Sequence, residues 1–437
     1  MSSDHAVSLL VDLLAGNQKR LASYVPSTPR TPIGCVGVVG AGTMGQSIAA
    51  MAACHVDRVV LHDSRAESLE TAPARAADLL SGKSLVESRL HPALQQPRKP
   101  FDAARLHVRG TLAGLADCDL VVEAIPESVE AKHRLYAELA GVLKPGAVLV
   151  SNTSAIPITR LAAGVGTPDR FCGVHFLAPV RPGSLVEIVP GEATSRRTLE
   201  VVVPLVRQFE VTPIVVDDQT GFVANRLLSS YLDEGAAMLA DGAGVDTIDR
   251  AAERFGMVVG PMRILDEIGI DTALAVGRVL WQAYPDRVAP SPATIGMYKR
   301  KRLGRKSGAG FYRYASRTPW ADDAIVAAEV DEEIAPWLGK RRELSAGEFR
   351  DRLPLALLAE AVRLLDEGAA DGATIDLISV VGLGFPAATA GILRWADQVG
   401  IGGIVERMER LGWAERGAGI PPLLLDMARS DRVFWPK

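Results

Sequence analysis

The sequence predicts an α/β domain built on a doubly wound parallel sheet, followed by two tandem all-α domains. Three observations carry that reading. Up to about residue 217, apolar runs of strand length alternate with helical periods. Beyond Asp217 the pattern turns to long helical periods alone. The last helical region then repeats the first: Arg226 aligns with Arg352, Glu234 with Glu360 and Gly242 with Gly368, at a constant offset of 126 residues.

The elements follow in order. Residues 1–24 read as one amphipathic helix. SYVPSTPRTP (23–32) is a linker, because three prolines in ten residues cannot propagate a helix or lie in a central strand. CVGVV (35–39) is a buried strand, TMGQSIAAMAAC (43–54) a helix and RVVLHD (58–63) a second strand. DLVVEAI (119–125) and AVLVSN (147–152) are further strands. The helical pattern 128–143 lies between them and stops at Lys144-Pro145-Gly146. FCGVHF (171–176) and LVEIV (185–189) read as two strands joined by the turn APVRPG. The expected domains are a leading helix and linker (1–32), the α/β domain (33–217), a first helical domain (218–314), a connecting segment (315–349) and a second helical domain (350–437). Asp266 and Gly269 of the first helical copy align with Asp397 and Gly400 of the second at an offset of 131, so a small insertion separates the alignments.

Composition narrows the function. The 437 residues carry 48 Lys+Arg against 52 Asp+Glu, a net charge of −4, which gives no basic excess for nucleic acid or an anionic membrane. No stretch reaches the ~18 charge-free apolar residues of a transmembrane helix, and the N-terminus shows no secretory pattern. Cys35, Cys54, Cys118 and Cys172 form no C-x-x-C pair and no zinc spacing, so neither a metal site nor a disulfide framework is expected, and a cytoplasmic, reducing setting fits. Six of the seven histidines lie at or before position 133. His175 is the single imidazole of the remaining chain.

Gly40-Ala41-Gly42-Thr43-Met44-Gly45 is a G-x-G-x-x-G hexamer placed between a predicted strand and a predicted helix, with Asp63 ending the next strand. That context is the Rossmann-type dinucleotide site. Gly40 permits the tight turn, Gly42 lets backbone approach a pyrophosphate, and Gly45 allows close helix–strand packing. Thr43 and Met44 open the helix whose N-terminal N–H groups attract phosphate. Asp63 can accept from the adenosine ribose and would repel a 2′-phosphate, which favours NAD over NADP; Arg65 is a mild counter-signal.

His175 sits near the end of one strand, and Glu187 is a lone carboxylate in the returning apolar run. The turn between them can place the two side by side, where a carboxylate fixes the imidazole tautomer and raises its basicity, as a general base requires. Ser151-Asn152-Thr153-Ser154 follows a strand aimed at the cofactor crevice; it would serve equally as an N-cap for ITRLAAG. Asn225 opens the first long helix and could likewise be its cap.

GAGTMG, VVEAIPE, SNTSA, GVHFLAPV, VEIVPG, GFVANRLL, GPMRILDEIGID and GRKSGAGFYRY stand in the order and near the spacing of the L-3-hydroxyacyl-CoA dehydrogenases, which residues 33–314 therefore resemble. The repeat at 350–437 resembles the second helical domain of the dehydrogenase half of multifunctional β-oxidation enzymes. The leading helix resembles the linker helix there, without the upstream hydratase/isomerase domain.

The resemblance implies NAD-dependent oxidation of a (3S)-3-hydroxyacyl-CoA thioester to the 3-ketoacyl thioester. It implies a general base at His175, an orienting carboxylate at Glu187, and substrate contacts from Ser154 and Asn225. Cofactor contacts would come from Glu127, Lys132, Ser154 and Lys306, with other β-oxidation enzymes (hydratase, thiolase) as partners.

The chain departs from the family pattern at three places. Ala178 stands where the family carries Asn or Ser. The stretch 78–107, with Ser81 and Lys83, matches the CoA-binding region poorly, so a carrier-protein thioester is an alternative substrate. The second copy has Asp351 in place of Asn225 and no histidine, so it is not expected to be a second active site. A weakly catalytic NAD-binding assembly partner is the reading from a different class. In the family's short members the helical domain packs against its counterpart in a homodimer. A tandem copy would fill that interface within one chain, so the protein is expected to be a monomer or a homodimer that depends less on association.

Overall fold

The structure, a computed structural model, describes residues 3–26, 32–81, 84–96, 99–327, 330, 332, 335–337 and 342–436. Lys83 and the side chain of Ser81 lie outside the described residues, as do residues 27–31 of the Pro-rich linker. The chain forms two compact units. One holds Ala15–Lys83 and Leu94–Phe222; the other holds Met1–Leu14, Ser84–Ala93 and Val223–Lys437.

The first unit is built on an eight-stranded sheet. Its strands are β1 (Cys35–Val39), β2 (Arg58–His62), β3 (Leu106–Arg109), β4 (Leu120–Glu123), β5 (Val148–Ser151), β6 (Phe171–Phe176), β7 (Leu185–Val189) and β8 (Thr212–Val215), in the spatial order β3-β2-β1-β4-β5-β6-β7-β8. All neighbours are parallel except β6 and β7, which are antiparallel. The chain runs outward from β1 through β2 to β3, then returns to β4 on the other side. That reversal opens a crevice at the carboxyl ends of β1 and β4, where ligands bind in such sheets. The strands β1, β4 and β5 are buried along their whole length, as expected where both faces of a parallel sheet are covered. Val36, Val38, Val122, Val150, Val174 and Ile188 pack with Ile48 and Met51 of the helix Thr43–Ala53 in one core.

The two edge strands carry the weakest sequence signal. LHVR of β3 is only partly buried, and TPIV of β8 contains Pro213, which an edge strand tolerates because it needs no ladder donor on its open side. The amide of buried Asn17, on the N-terminal helix Ser3–Ala22, donates to Pro213 O at 2.9 Å.

The second unit contains the helical repeat. Ala224–Asp241, Val245–Phe255, Pro261–Ile268 and Ile270–Ala283 have counterparts in Ala346–Asp366, Gly372–Leu377, Ile392–Val399 and Ile401–Arg410. The copies share their internal fastenings. Asp249 accepts Met262 N and Arg263 N at the start of the next helix, each at 2.9 Å, and Asp376 accepts Leu393 N at 2.7 Å in the same place. Asp266 accepts Phe311 N and Tyr312 N at 2.9 and 2.8 Å; Asp397 accepts Phe434 N and Trp435 N, both at 2.9 Å. Tyr312 OH closes on Asp249 as Trp435 Nε1 closes on Asp376, at 2.8 and 2.9 Å.

This region is not wholly helical. FYRY enters an antiparallel pair, β9 (Tyr312–Tyr314) with β10 (Ala324–Val326), because Tyr312 and Tyr314 turn their rings inward onto the two aspartates while Arg313 faces solvent. Nor is the basic run 299–306 exposed throughout. Arg305 is buried against Glu267 and Asp323, at 2.8 and 2.7 Å.

Candidate active site

The glycine loop leaves β1 and enters the helix Thr43–Ala53. Gly40 has φ +106°, and a Cβ there would stand 2.5 Å from Ala124 O; at Gly45 a Cβ would stand 1.8 Å from Gly40 O. Only glycine fits either place. A Cβ on Gly42 would meet nothing within 4 Å, so the backbone there faces open space, and no side chain caps the helix N-terminus. An anion can therefore approach the helix N–H groups directly. Asp63 closes the far side. It accepts Ala41 N at 2.7 Å and Arg65 N at 2.8 Å, with the Arg65 guanidinium at 3.3 Å. Burial alone would raise the Asp63 carboxyl, but the amides of Arg65 and Ala41 and the Arg65 side chain hold it below the usual carboxylate range.

Along the same edge of the sheet, the ends of β4 and β5 are tied by two carboxylates. Glu123 is fully buried and accepts from Lys132 Nζ (2.6 Å), Ile125 N (2.8 Å), Tyr136 OH (2.8 Å) and Ser151 Oγ (2.7 Å). Glu127 Oε1 accepts Thr153 Oγ1, Ser154 N and Ala155 N at 2.6, 2.9 and 2.8 Å, while its Oε2 lies 3.6 Å from Lys132 Nζ. Lys132 is thus a buried ammonium that holds both carboxylates, and Glu127 clamps the turn that carries Ser154.

The antiparallel register of β6 and β7 sets His175 directly opposite Glu187. His175 Nδ1 lies 2.8 Å from Glu187 Oε2; the imidazole is 5% exposed and the carboxylate fully buried. With Nδ1–H donated to the carboxylate, the neutral ring carries its lone pair on Nε2. Asn152 Oδ1 accepts Phe176 N at 2.8 Å and so fixes the strand beside the histidine. The Phe222 ring lies 5.9 Å from the imidazole centroid, tilted by 54°. Phe222 has φ 49°, a left-handed conformation that is strained for a bulky residue.

The remaining site residues predicted from sequence lie in the helical unit. Asn225 is the second residue of the helix Ala224–Asp241, not its cap, which is Val223. Lys306 pairs with Asp271. The SNTS turn is not a cap either: Asp218 accepts Ile158 N and Thr159 N, at 2.6 and 2.7 Å, at the start of the helix Ile158–Ala162. Sequence reasoning missed Glu123, Asp218 and Phe222, and it reached Asn152 only as part of the turn 151–154. Glu123 had a usable signal, a lone carboxylate in the apolar run DLVVEAI, the same kind that drew attention to Glu187.

Among the described residues, no helix is long and apolar enough to cross a membrane, and no cluster of three His, Cys, Asp or Glu could hold a metal ion.

A profile described as 3-hydroxyacyl-CoA dehydrogenase, NAD binding domain, matches residues 35–219, and the companion C-terminal domain profile matches 221–314 and 347–433. The chain belongs to the 3-hydroxyacyl-CoA dehydrogenase family. The matched N-terminal domain is an NAD binding domain, and the open Gly42 backbone, the uncapped helix and the Asp63 carboxylate suit that dinucleotide. The two matches of the C-terminal profile fall on the two helical copies.

The chain is 34% identical over 408 residues to the fatty acid oxidation complex subunit alpha of Acinetobacter baylyi, covering 92% of this chain and 56% of that one. It therefore spans little more than half the length of this curated relative. Among solved structures, the 3-hydroxybutyryl-CoA dehydrogenase of Escherichia coli aligns with a TM-score of 0.70 and 26% identity, over 92% of this chain and 99% of the other. The (S)-3-hydroxybutyryl-CoA dehydrogenase of Ralstonia eutropha aligns with a TM-score of 0.53 and 34% identity, over 65% of this chain and all of its own.

Proposed function

We propose that this chain is an NAD-dependent 3-hydroxyacyl-CoA dehydrogenase that reversibly oxidises a (3S)-3-hydroxyacyl-CoA to the 3-ketoacyl-CoA. The observation that carries the reading is the buried His175–Glu187 pair on the sheet edge that also bears the dinucleotide loop. Bound NAD supplies the hydride acceptor. The chain's own residues supply the proton chemistry. His175 Nε2 takes the proton of the 3-hydroxyl as the C3–H bond breaks, and it returns that proton to the oxygen in the reverse reaction. Glu187 keeps Nδ1 protonated and stabilises the imidazolium that forms, so the ring neither turns over nor presents the wrong tautomer. Ser154, held by the Glu127 clamp, donates to the same oxygen and polarises it in the keto form. Asn225 and Lys306 complete the proposed set as a substrate contact and a cofactor contact. Gly40, Gly42, Thr43, Met44 and Gly45 cradle the pyrophosphate, and Asp63 receives the adenosine ribose. Lys132 acts by holding Glu127 and Glu123.

A role in fatty acid oxidation beside other enzymes is supported by the name of the Acinetobacter relative, a subunit of a fatty acid oxidation complex; hydratase and thiolase as those partners, and a bacterial cytoplasm as the setting, belong to the same proposal. The test is stereochemical. Incubated with NAD, the protein should form NADH from (3S)-3-hydroxybutyryl-CoA or a longer (3S) homologue and not from the (3R) thioesters. No NADH from any (3S) chain length overturns the proposal.

A further inference from the structure

Two thiols meet at the end of the sheet opposite the active site. Cys35 opens β1, and Cys118 stands two residues before β4 begins. Both strands run away from this point to end at the glycine loop and at Glu123. The two Sγ atoms lie 3.4 Å apart, between residues 83 positions apart in sequence. Arg58, at the start of β2, donates from Nε to Cys35 Sγ at 3.2 Å. Cys118 is fully buried, whereas Cys35 is 7% exposed and lies beneath the partly exposed Arg58 side chain. A small oxidant therefore meets the Cys35 sulfur first.

The remaining cysteines have no such setting. Cys54 Sγ donates to Ala50 O of its own helix at 3.4 Å, and Cys172 lies inside β6, where burial pushes its thiol up to about 12. At Cys35 the hydrogen bond from Cys118, together with Arg58, outweighs burial and favours the thiolate. At Cys118 the bond to Cys35, with burial, favours the neutral thiol. The sulfur that leans toward the thiolate thus sits against one that leans toward the thiol, the arrangement in which a partner resolves its oxidation.

We propose that Cys35 and Cys118 form an oxidisable pair that a hydroperoxide converts to a disulfide. The Cys35 thiolate attacks the terminal peroxide oxygen. An S–O bond forms as the O–O bond breaks, and the leaving oxygen departs, protonated, as water or an alcohol. Cys35 is oxidised by two electrons to the sulfenic acid while the peroxide is reduced. The Cys118 thiol then gives up its proton and attacks the sulfenic sulfur; the S–S bond forms, the S–O bond breaks and water leaves. The product joins the amino ends of the two central strands whose carboxyl ends form the NAD crevice. Ordinary dithiol reductants reverse it.

The test uses the full chain and hydrogen peroxide, followed by alkylation of remaining thiols under denaturing conditions and mass spectrometry. The expected product has lost two hydrogens and yields a peptide joining Cys35 to Cys118, with Cys54 and Cys172 still alkylated. Cys35 should be consumed about tenfold faster than Cys54, although Cys54 is the more exposed, because thiolate character favours Cys35. In Cys118→Ser, which keeps a hydroxyl donor beside the Cys35 sulfur but cannot form a disulfide, Cys35 should arrest as a sulfenic acid that dimedone captures. Oxidation of Cys54 or Cys172 before any Cys35–Cys118 peptide appears in the wild-type chain overturns the proposal, and so does a folded Cys118→Ser variant that dimedone fails to label at Cys35.

Discussion

Arg226 of the first helical copy binds Glu360 of the second, Nη2 to Oε1 at 2.6 Å, and the contact recurs with the copies exchanged: Arg352 of the second binds Glu234 of the first. The second partners also correspond. Arg226 reaches Glu367 at 2.7 Å and Arg352 reaches Asp241 at 2.6 Å. Both arginine side chains are only 1% exposed. A contact in which i meets j and j meets i is the signature of a two-fold interface, here closed within one chain. The helices Ala224–Asp241 and Ala346–Asp366 that carry the arginines pack against each other along it.

Removing one partner from a buried ion pair leaves a charge without compensation, so Arg352→Met should cost about 3 kcal/mol of stability in urea unfolding. A loss of about 0.5 kcal/mol, the value of an exposed pair, would show that the interface does not rest on these contacts.

Because the two-fold contact is satisfied internally, the protein should remain a single chain at low concentration. Light scattering should return a mass near the 46.5 kDa of one chain. A mass near twice that value contradicts the prediction.

Glu187 is predicted to act through His175. Glu187→Gln keeps the shape of the side chain but removes the charge that stabilises the imidazolium, so kcat should fall by roughly a hundredfold or more. The affinity for NADH, measured by fluorescence titration, should stay near wild type, because Glu187 lies across the strands from the glycine loop. Weakened NADH binding with unchanged kcat would count against the role.

Glu127 organises Ser154 through three donors that converge on one oxygen. Glu127→Gln retains an oxygen acceptor for them, whereas Glu127→Ala retains none. The alanine variant should lose on the order of tenfold more kcat/KM than the glutamine variant, since each unmet buried donor costs about 1–3 kcal/mol. Equal losses would place the importance of Glu127 in its charge toward Lys132 instead.

The helical copies should answer to pH. Burial pushes Asp376 up to about 7, above the ordinary value of 3.8, against the hydrogen bonds from Leu393 N and Trp435 Nε1. The folded state then holds more protons than the unfolded one between these two values. Stability from this group is full below the lower value and is lost as pH rises through about 7. Asp376→Asn does not titrate. Thermal melts of the two proteins should show the wild type losing ground to the variant as pH rises from about 5 to about 8. A difference that is constant across that range would sink the idea.

Much of this site is legible in the sequence because it is local. The glycine loop needs one strand, one turn and one helix start, and all three leave marks in consecutive residues. The β6–β7 hairpin is nearly as local, so two apolar strands joined by one short turn are enough to suggest His175 beside Glu187. Glu127 and Lys132 drew attention only through the family resemblance, because their work depends on Glu123 and on the end of β5, which lie apart in sequence. Asp218 was illegible for the same reason: it caps a helix 60 positions earlier. The edge strands β3 and β8 were missed because an edge needs no continuous apolar run. The repeat was plain from Arg226 and Arg352, yet the exchange of their partners across the copies appears only in three dimensions.

The central claim is that His175 moves the proton in NAD-linked oxidation and reduction at C3 of an acyl thioester. Its most direct test compares the wild type with His175→Gln in NADH oxidation by acetoacetyl-CoA and longer 3-ketoacyl-CoAs, with NADH affinity measured for both. Loss of a general base should lower kcat by roughly a hundredfold to ten-thousandfold, with NADH bound as tightly as before. Equal turnover by the two proteins would contradict the account, and so would no turnover by the wild type at any chain length.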